Sequence, residues 1–278
     1  MRDADRAEPP DGPAAENGAV ATTVGTLLGG RVVYRQPRAG YRTGIEPVLL
    51  AAAVPARPGD TVLEAGCGAG AGLLCLTTRV GGLQAIGLEQ DDLSATLAAE
   101  NLGIAHRFGM AVHRCVLPAL PPELPILDHV LFNPPWHRAG ATPSVSARRA
   151  LALQMPADSR ESPLSSWSAA LAPRLRRGGT LTVVVATARL ADAVEAFRAA
   201  RIGTLRLLPL WPRIGATARL MVLQGRRLGR GDDAVLPGLV LHEASGRYTA
   251  AAEAVLRAGT ALPGLGDTRS TKRGRGPA

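Results

Sequence analysis

Lysine is nearly missing from this chain. Of its 32 basic residues only Lys272 is a lysine, and the others are arginines. Cysteine is scarce too: Cys67, Cys75 and Cys115 are odd in number and form no Cys-x-x-Cys pair. That excludes a disulfide framework and a zinc knuckle, and reduced thiols in a cytoplasmic setting are expected. His106, His113 and His129 have no ligand-like spacing, so no metal site is expected. No apolar run approaches the length of a membrane span. The first residues are acidic and lack an apolar core, which argues against a signal peptide. No internal repeat is present.

What remains is a chain of 278 residues with 46% hydrophobic content and a net charge of +9. It is long enough to bury a full core, and fits one large α/β domain with extensions. Residues 1–28 are polar, aperiodic and rich in Ala, Gly and Pro, and read as a disordered leader; 29–263 read as the domain and 264–278 as a basic disordered tail. The leader is net acidic and the tail net basic, so the domain carries most of the positive charge. Such charge suits a polyanionic partner. The richness in Arg, Ala, Gly and Pro is equally what a GC-rich coding bias produces.

Within the domain, strand and helix patterns alternate. Strands are expected at 30–34, 61–65, 84–88, 110–114, 127–132, 180–186, 204–210 and 217–224, and helices at 45–54, 91–102, 165–175 and 189–200. Alternation of this kind predicts a doubly wound, Rossmann-like sheet, mostly parallel. The last two strands are joined through Trp211-Pro212-Arg213-Ile214-Gly215, close enough to make an antiparallel edge.

Two segments carry chemistry. The first is Thr61-Val62-Leu63-Glu64-Ala65-Gly66-Cys67-Gly68-Ala69-Gly70. A strand runs into alternating glycines and then a helix, the arrangement of a nucleotide-type pocket. Glu64 stands just before the glycines. Glu89 ends the next strand, where a carboxylate can bridge two ribose hydroxyls. The second segment is Asn133-Pro134-Pro135-Trp136, directly after the apolar Val130-Leu131-Phe132. The prolines fix φ and remove backbone donors, leaving carbonyls free to accept. The Asn amide oxygen is another acceptor, and the Trp is a stacking face. Such a turn can grip a planar group that carries an NH2. An ordinary Pro-Pro loop with an inward Trp has the same composition.

In this order the two segments resemble those of class I methyltransferases that use S-adenosylmethionine, whose sheet has a reversed final strand. Asn-Pro-Pro-aromatic marks the branch that methylates planar amines. Gly40-Tyr41-Arg42-Thr43-Gly44-Ile45-Glu46-Pro47, before the glycine loop, is similar to the opening motif of bacterial tRNA(Val) adenine-N6 methyltransferases. Leu239-Val240-Leu241-His242-Glu243 with Arg247-Tyr248-Thr249 resembles that family's carboxyl-terminal segment. The resemblance implies a cofactor site at Tyr41, Thr43, Glu64, Gly66, Gly68, Gly70, Glu89 and Asn133, and a catalytic turn at Asn133, Pro134, Pro135 and Trp136. It implies an RNA substrate, tRNA foremost, methylated at N6 of an unpaired adenine. Arg138, Arg148 and Arg149 follow the turn and are candidates for phosphate contacts; a solvated loop and helix start reads equally well there. The pattern departs in three places. The basic segments are unusually Arg-rich and do not match RNA contacts one by one. Trp136 stands where Tyr or Phe is usual. The segment His113-Arg114-Cys115-Val116-Leu117 lacks the carboxylate that commonly contacts the cofactor's adenine. Competing readings are methylation of a protein glutamine or of guanine N2 in rRNA, a nicotinamide dehydrogenase, and a relative that keeps the cofactor but has lost catalysis.

Overall fold

The computed structural model describes residues 21–38, 43–104, 109–134, 137–138, 154–155 and 162–266. In chain order the strands are β1 (Thr22–Leu27), β2 (Val32–Pro37), β3 (Thr61–Ala65), β4 (Gln84–Glu89), β5 (Met110–Arg114), β6 (Leu127–Phe132), β7 (His137–Arg138), β8 (Gln154–Met155), β9 (Leu175–Ala186), β10 (Ile202–Trp211), β11 (Leu220–Arg227), β12 (Ala234–Val235) and β13 (Leu239–Val240). The helices are α1 (Glu46–Ala53), α2 (Ala71–Arg79), α3 (Asp92–Ile104), α4 (Pro163–Leu171), α5 (Leu190–Ala199) and α6 (Ala250–Leu256).

The main sheet runs β12-β10-β11-β9-β6-β3-β4-β5, with β13 also paired to β10. Only β11 is antiparallel to its neighbours, β9 on one side and β10 on the other. From β3 the chain winds outward through β4 to β5. It then returns to the other side of β3 as β6. That reversal puts a crevice at the carboxyl ends of β3 and β6, where doubly wound sheets bind ligands.

Alternation along the strands makes two cores. Val62, Leu131, Val184 and Val222 face α1, α2 and α6. Their neighbours Leu63, Val130, Phe132, Val183 and Leu223 face α4 and α5. Helix α1 is apolar all round, and from Val48 to Ala53 it is buried, as a helix packed on several sides must be. Pro47 is tolerated in its first turn because that amide has no helical partner to lose.

The ends of the domain differ from the sequence expectation. Residues 22–27, assigned to the leader, form β1 and pair antiparallel with β2 along its length. At the other end Leu265 is buried and the Gly266 amide donates to Leu262 O at 2.9 Å, so order extends past the expected boundary at 264. Strand β9 begins at Leu175 rather than 180, and the helix before it stops at Leu171. Pro173 supplies the stop, within a short 3-10 turn. Helix α6 was not expected. Thr249 caps it, its hydroxyl accepting from Ala252 N at 3.1 Å and donating to Val240 O at 2.7 Å. The carboxyl-terminal motif is thereby drawn together, with His242 stacked on Tyr248 at 4.7 Å between ring centres.

Candidate functional site

The crevice is built by register. Ala65, the last residue of β3, lies opposite Phe132, the last of β6, and opposite Leu88 on its other side. The glycine loop, Asn133-Pro134 and Glu89 therefore leave the sheet side by side. The two sequence segments, about seventy residues apart, meet at one point.

The glycine loop is held from below. The amides of Gly66 and Cys67 donate to Leu88 O at 2.8 and 3.1 Å. Gly66, Gly68 and Gly70 all have positive φ, at 68°, 54° and 86°, conformations that glycine takes without strain. A side chain on Gly68 would meet nothing within 4 Å. This is open space against bare backbone, as a ligand cradle requires.

The two acids stabilise that loop. Glu89, almost fully buried, accepts from Gly68 N at 2.8 Å through one oxygen, and from Gln90 N and Asp91 N at 2.8 and 2.9 Å through the other. Burial raises its pKa; these three bonds pull it down, and the nearby Asp91 charge adds a smaller upward push. Glu64 is 5% exposed and lies under the first turn of α2, where it accepts from Leu73 N at 2.9 Å. Burial pushes its pKa up to about 8, opposed by the Leu73 bond and reinforced by the Glu89 charge. Glu64 thus works on the loop from beneath and does not face open space. Burial also pushes the Cys67 thiol well up, which suits a packing residue.

Two residues of the site went unnoticed in the sequence. Asn101, on α3, is 2% exposed. Its oxygen accepts from Arg35 N at 2.8 Å, and its amide donates to Arg35 O at 2.8 Å and Ala69 O at 2.9 Å. It clamps β2 to the glycine loop. Beyond β2, Thr43 N donates to Gln36 Oε1 at 3.3 Å. The other is Trp167 on α4. It stands edge-to-face on Phe132 with ring centres 5.6 Å apart, and a Cβ on Gly66 would be 3.2 Å from its ring. An indole therefore walls the mouth of the loop beside the residue that precedes Asn133. Neither signal is local: a lone Asn or Trp in a helix gains meaning only once the helix is docked.

Asn133 is partly buried and Pro134 buried at the end of β6. Tyr41, Pro135, Trp136, Arg148 and Arg149 lie outside the described residues, and Arg138 is described only as backbone in β7. At the end of β5 no carboxylate takes the adenine-side position. Cys115 N donates to Glu89 O at 2.8 Å, and Arg114 is paired with Asp92. Among the described residues no group of His, Cys, Asp and Glu could hold a metal, and no helix is long and apolar enough to cross a membrane.

No family model and no curated protein matches this chain. Solved structures do. A predicted O-methyltransferase from Agrobacterium tumefaciens superposes with a TM-score of 0.64 at 19% identity, covering 78% of this chain and 98% of that one. The 16S rRNA N2-guanosine methyltransferase of T. thermophilus, solved with AdoMet and guanosine, gives a TM-score of 0.52 at 21% identity, covering 74% of this chain and 50% of that one. An O-methyltransferase from Thermotoga maritima, described as SAM-dependent, gives 0.50 at 12% identity, covering 70% and 69%. The fold is the Rossmann-like fold of these methyltransferases.

Proposed function

We propose that this chain is an S-adenosylmethionine-dependent N-methyltransferase acting on the N6 amine of an unpaired adenine in RNA, with tRNA the favoured substrate. One observation carries the reading: an Asn-Pro turn leaves β6 in register with a glycine loop leaving β3. Two features support the cofactor assignment: bare backbone at Gly68 borders open space, and the Glu89 carboxylate, bonded to Gly68 N, is assigned to the ribose.

When bound, the cofactor supplies a methyl group on a sulfonium. The protein's task is to present a weak nucleophile, since an aromatic amine has its lone pair delocalised into the ring. The Asn133 amide oxygen and the Pro134 carbonyl accept the two amine hydrogens. The nitrogen is then drawn toward pyramidal geometry with its lone pair aimed across the crevice. Transfer would form the N–C bond as the methyl–sulfur bond breaks, leaving a thioether. The resulting cationic amine would lose its extra proton to solvent afterwards, so positioning and fixed dipoles supply the gain without a side-chain base. Trp136 is assigned to stacking on the target base, and Trp167 walls the mouth of the loop beside Phe132 and Gly66. A base must be unstacked to enter, which costs least in a single-stranded loop. Arg138, Arg148 and Arg149 are assigned to phosphates beside the target.

Guanine N2 is the second reading, favoured by the likeness to the rRNA N2-guanosine methyltransferase. One assay separates the outcomes. Labelled cofactor is offered to total tRNA, rRNA and protein extract from a strain lacking this chain, and the modified residue is identified by mass spectrometry. N6-methyladenine in tRNA is expected. N2-methylguanine moves the target and keeps the mechanism. Label in protein glutamine, with none in RNA, refutes the RNA substrate. Asn133→Ala should bind S-adenosylhomocysteine as the wild type does and lose about 10²-fold or more in single-turnover transfer. Transfer at the wild-type rate would reduce Asn133 to a turn former.

A further inference from the structure

The arginines are not spread evenly, and a group of them gathers far from the crevice. Arg226 on β11 lies opposite Thr180 of β9, which lies opposite His129 of β6. Asn133 is four residues further along β6, about 13 Å toward the other edge, and β11 is two strands over, about 10 Å. Arg206 on β10 sits opposite Gln224, two residues from Arg226. Arg176 begins β9. Arg177, Arg201 and Arg230 are exposed beside them, with Arg201 O accepting from Leu228 N at 2.9 Å at the end of β11.

Two of these guanidiniums, those of Arg226 and Arg206, are held without being neutralised, whereas Arg176 is paired with Asp128. Arg226 Nη1 donates to Gly178 O at 3.2 Å, and Arg206 Nη1 to Asp232 O at 2.7 Å. Among the described residues neither has a carboxylate partner. The ion pairs nearby are Arg176 with Asp128 and Arg198 with Asp233. The positive charges are close enough to act on one another: besides burial, the charges of Arg206 and Arg176 lower the pKa of Arg226. A folded protein that holds like charges together at its surface, tethered to carbonyls, leaves them available to an anion. The group spans β9, β11 and β10, about 10 Å across, which suits successive phosphates of one chain better than a single ion. The nearby exposed apolar residues, Leu228 and Val235, are single side chains and not the apolar face that membrane binding needs.

We propose that the amino-terminal edge of the sheet, through Arg177, Arg201, Arg206, Arg226 and Arg230, is a second docking surface for the phosphate backbone of the RNA whose base enters the crevice at the opposite edge. The inference rests on the RNA reading of the crevice. It places sequence-independent affinity on one edge and base selection on the other.

The test uses the full chain with Arg177, Arg206 and Arg226 all changed to Gln. Because Arg206 also ties down Asp232 O, a second variant changes Arg177, Arg226 and Arg230. The control changes Arg35, Arg247 and Arg257 to Gln; each of these pairs with a carboxylate elsewhere, and the net charge falls equally. Binding of total tRNA is measured over a salt series, with S-adenosylhomocysteine calorimetry on every variant. Both edge variants should bind tRNA at least about tenfold more weakly at low salt, with the log–log salt slope reduced by about two to three. Their KM for tRNA should rise while kcat and cofactor affinity hold, and the control should bind as wild type. Equal tRNA binding by wild type and edge variants overturns the surface and leaves the RNA reading standing. An equal loss in the control also overturns it, since total charge alone would then suffice. A wild type that binds no RNA overturns both, as does binding of phosphatidylserine vesicles in place of RNA.

Discussion

Replacing Glu64 with Gln should remove a pH dependence that the wild type carries. Burial beneath α2 holds the Glu64 carboxyl at a pKa of about 8, against an ordinary 4.5. In the unfolded chain it ionises near 4.5. Between those values the folded state holds a proton that the unfolded state has lost, so stability falls as pH rises through that window and is level above it. A shift of this size corresponds to about 5 kcal/mol over the whole window. Gln has the same shape, keeps an oxygen for Leu73 N and does not ionise. Urea unfolding of both proteins from pH 5 to pH 9 provides the difference. Near pH 5 the two should be close. The variant should then gain on the wild type up to about pH 8 and hold that gain above it. A difference that stays flat within about 1 kcal/mol would show that Glu64 is ionised and compensated in the folded state, and the reading of the loop's foundation would fail. The proton also bears on function. At pH 7 a neutral Glu64 leaves the positive end of α2 unspent, available to a negatively charged group in the crevice.

Three further outcomes follow from the same packing. Gly72→Ala gains helix propensity, yet its Cβ would stand 2.3 Å from Glu64 Oε1; a net loss of about 1–3 kcal/mol in urea unfolding is expected, and a gain would mean that Glu64 is not against the helix. Asn101→Ala removes three short hydrogen bonds inside the fold; it should cost about 2–4 kcal/mol and weaken S-adenosylhomocysteine binding, and intact binding would detach the clamp from the site. Glu89→Ala should lower cofactor affinity by roughly 1.5–3 kcal/mol by calorimetry, and unchanged affinity in a folded variant would refute its place in the pocket.

Much of this was legible in the chain. Strands β3, β5 and β6 begin and end where their apolar runs do, because turn formers bound them: Pro58-Gly59-Asp60 before β3 and Asn133-Pro134 after β6. The reversed strand β11 was legible from the short connection after Trp211. The hairpin of β1 and β2 was not. Thr22-Thr23-Val24-Gly25-Thr26-Leu27 follows a polar stretch, and what fixes the hairpin is Asn101, 66 residues on from Arg35. The start of β9 was hidden because Arg176-Arg177-Gly178-Gly179 looks like a loop, and its register against β6 does shift there. The glycines and acids were found by pattern, while their division of labour was not. Burial decides that Glu64 supports a helix and Glu89 a loop, and burial is a property of the assembled layers.

The missing carboxylate after β5 looks at first like a weakened pocket. The packing suggests a different division. Where that acid would stand, Cys115 N is tied to Glu89 O, so the third strand's end is fastened to the second's. Glu89 is then engaged twice. Its backbone anchors the β5 edge, and its side chain fixes Gly68, Gln90 and Asp91. One carboxylate oxygen accepts two of those bonds and the other, holding Gly68, accepts one; of about four lone-pair sites one remains, so a single ribose hydroxyl can add to the set without displacing it. An adenine alongside would be met by main-chain groups near Cys115 in place of a side chain. Affinity in such a pocket depends on how well the loops are ordered before the ligand arrives. The proteins to compare are therefore those that loosen the loops without touching the ligand. If Asn101→Ala weakens cofactor binding as Glu89→Ala does, preorganisation carries the affinity. If only Glu89 matters, the direct ribose contact carries it.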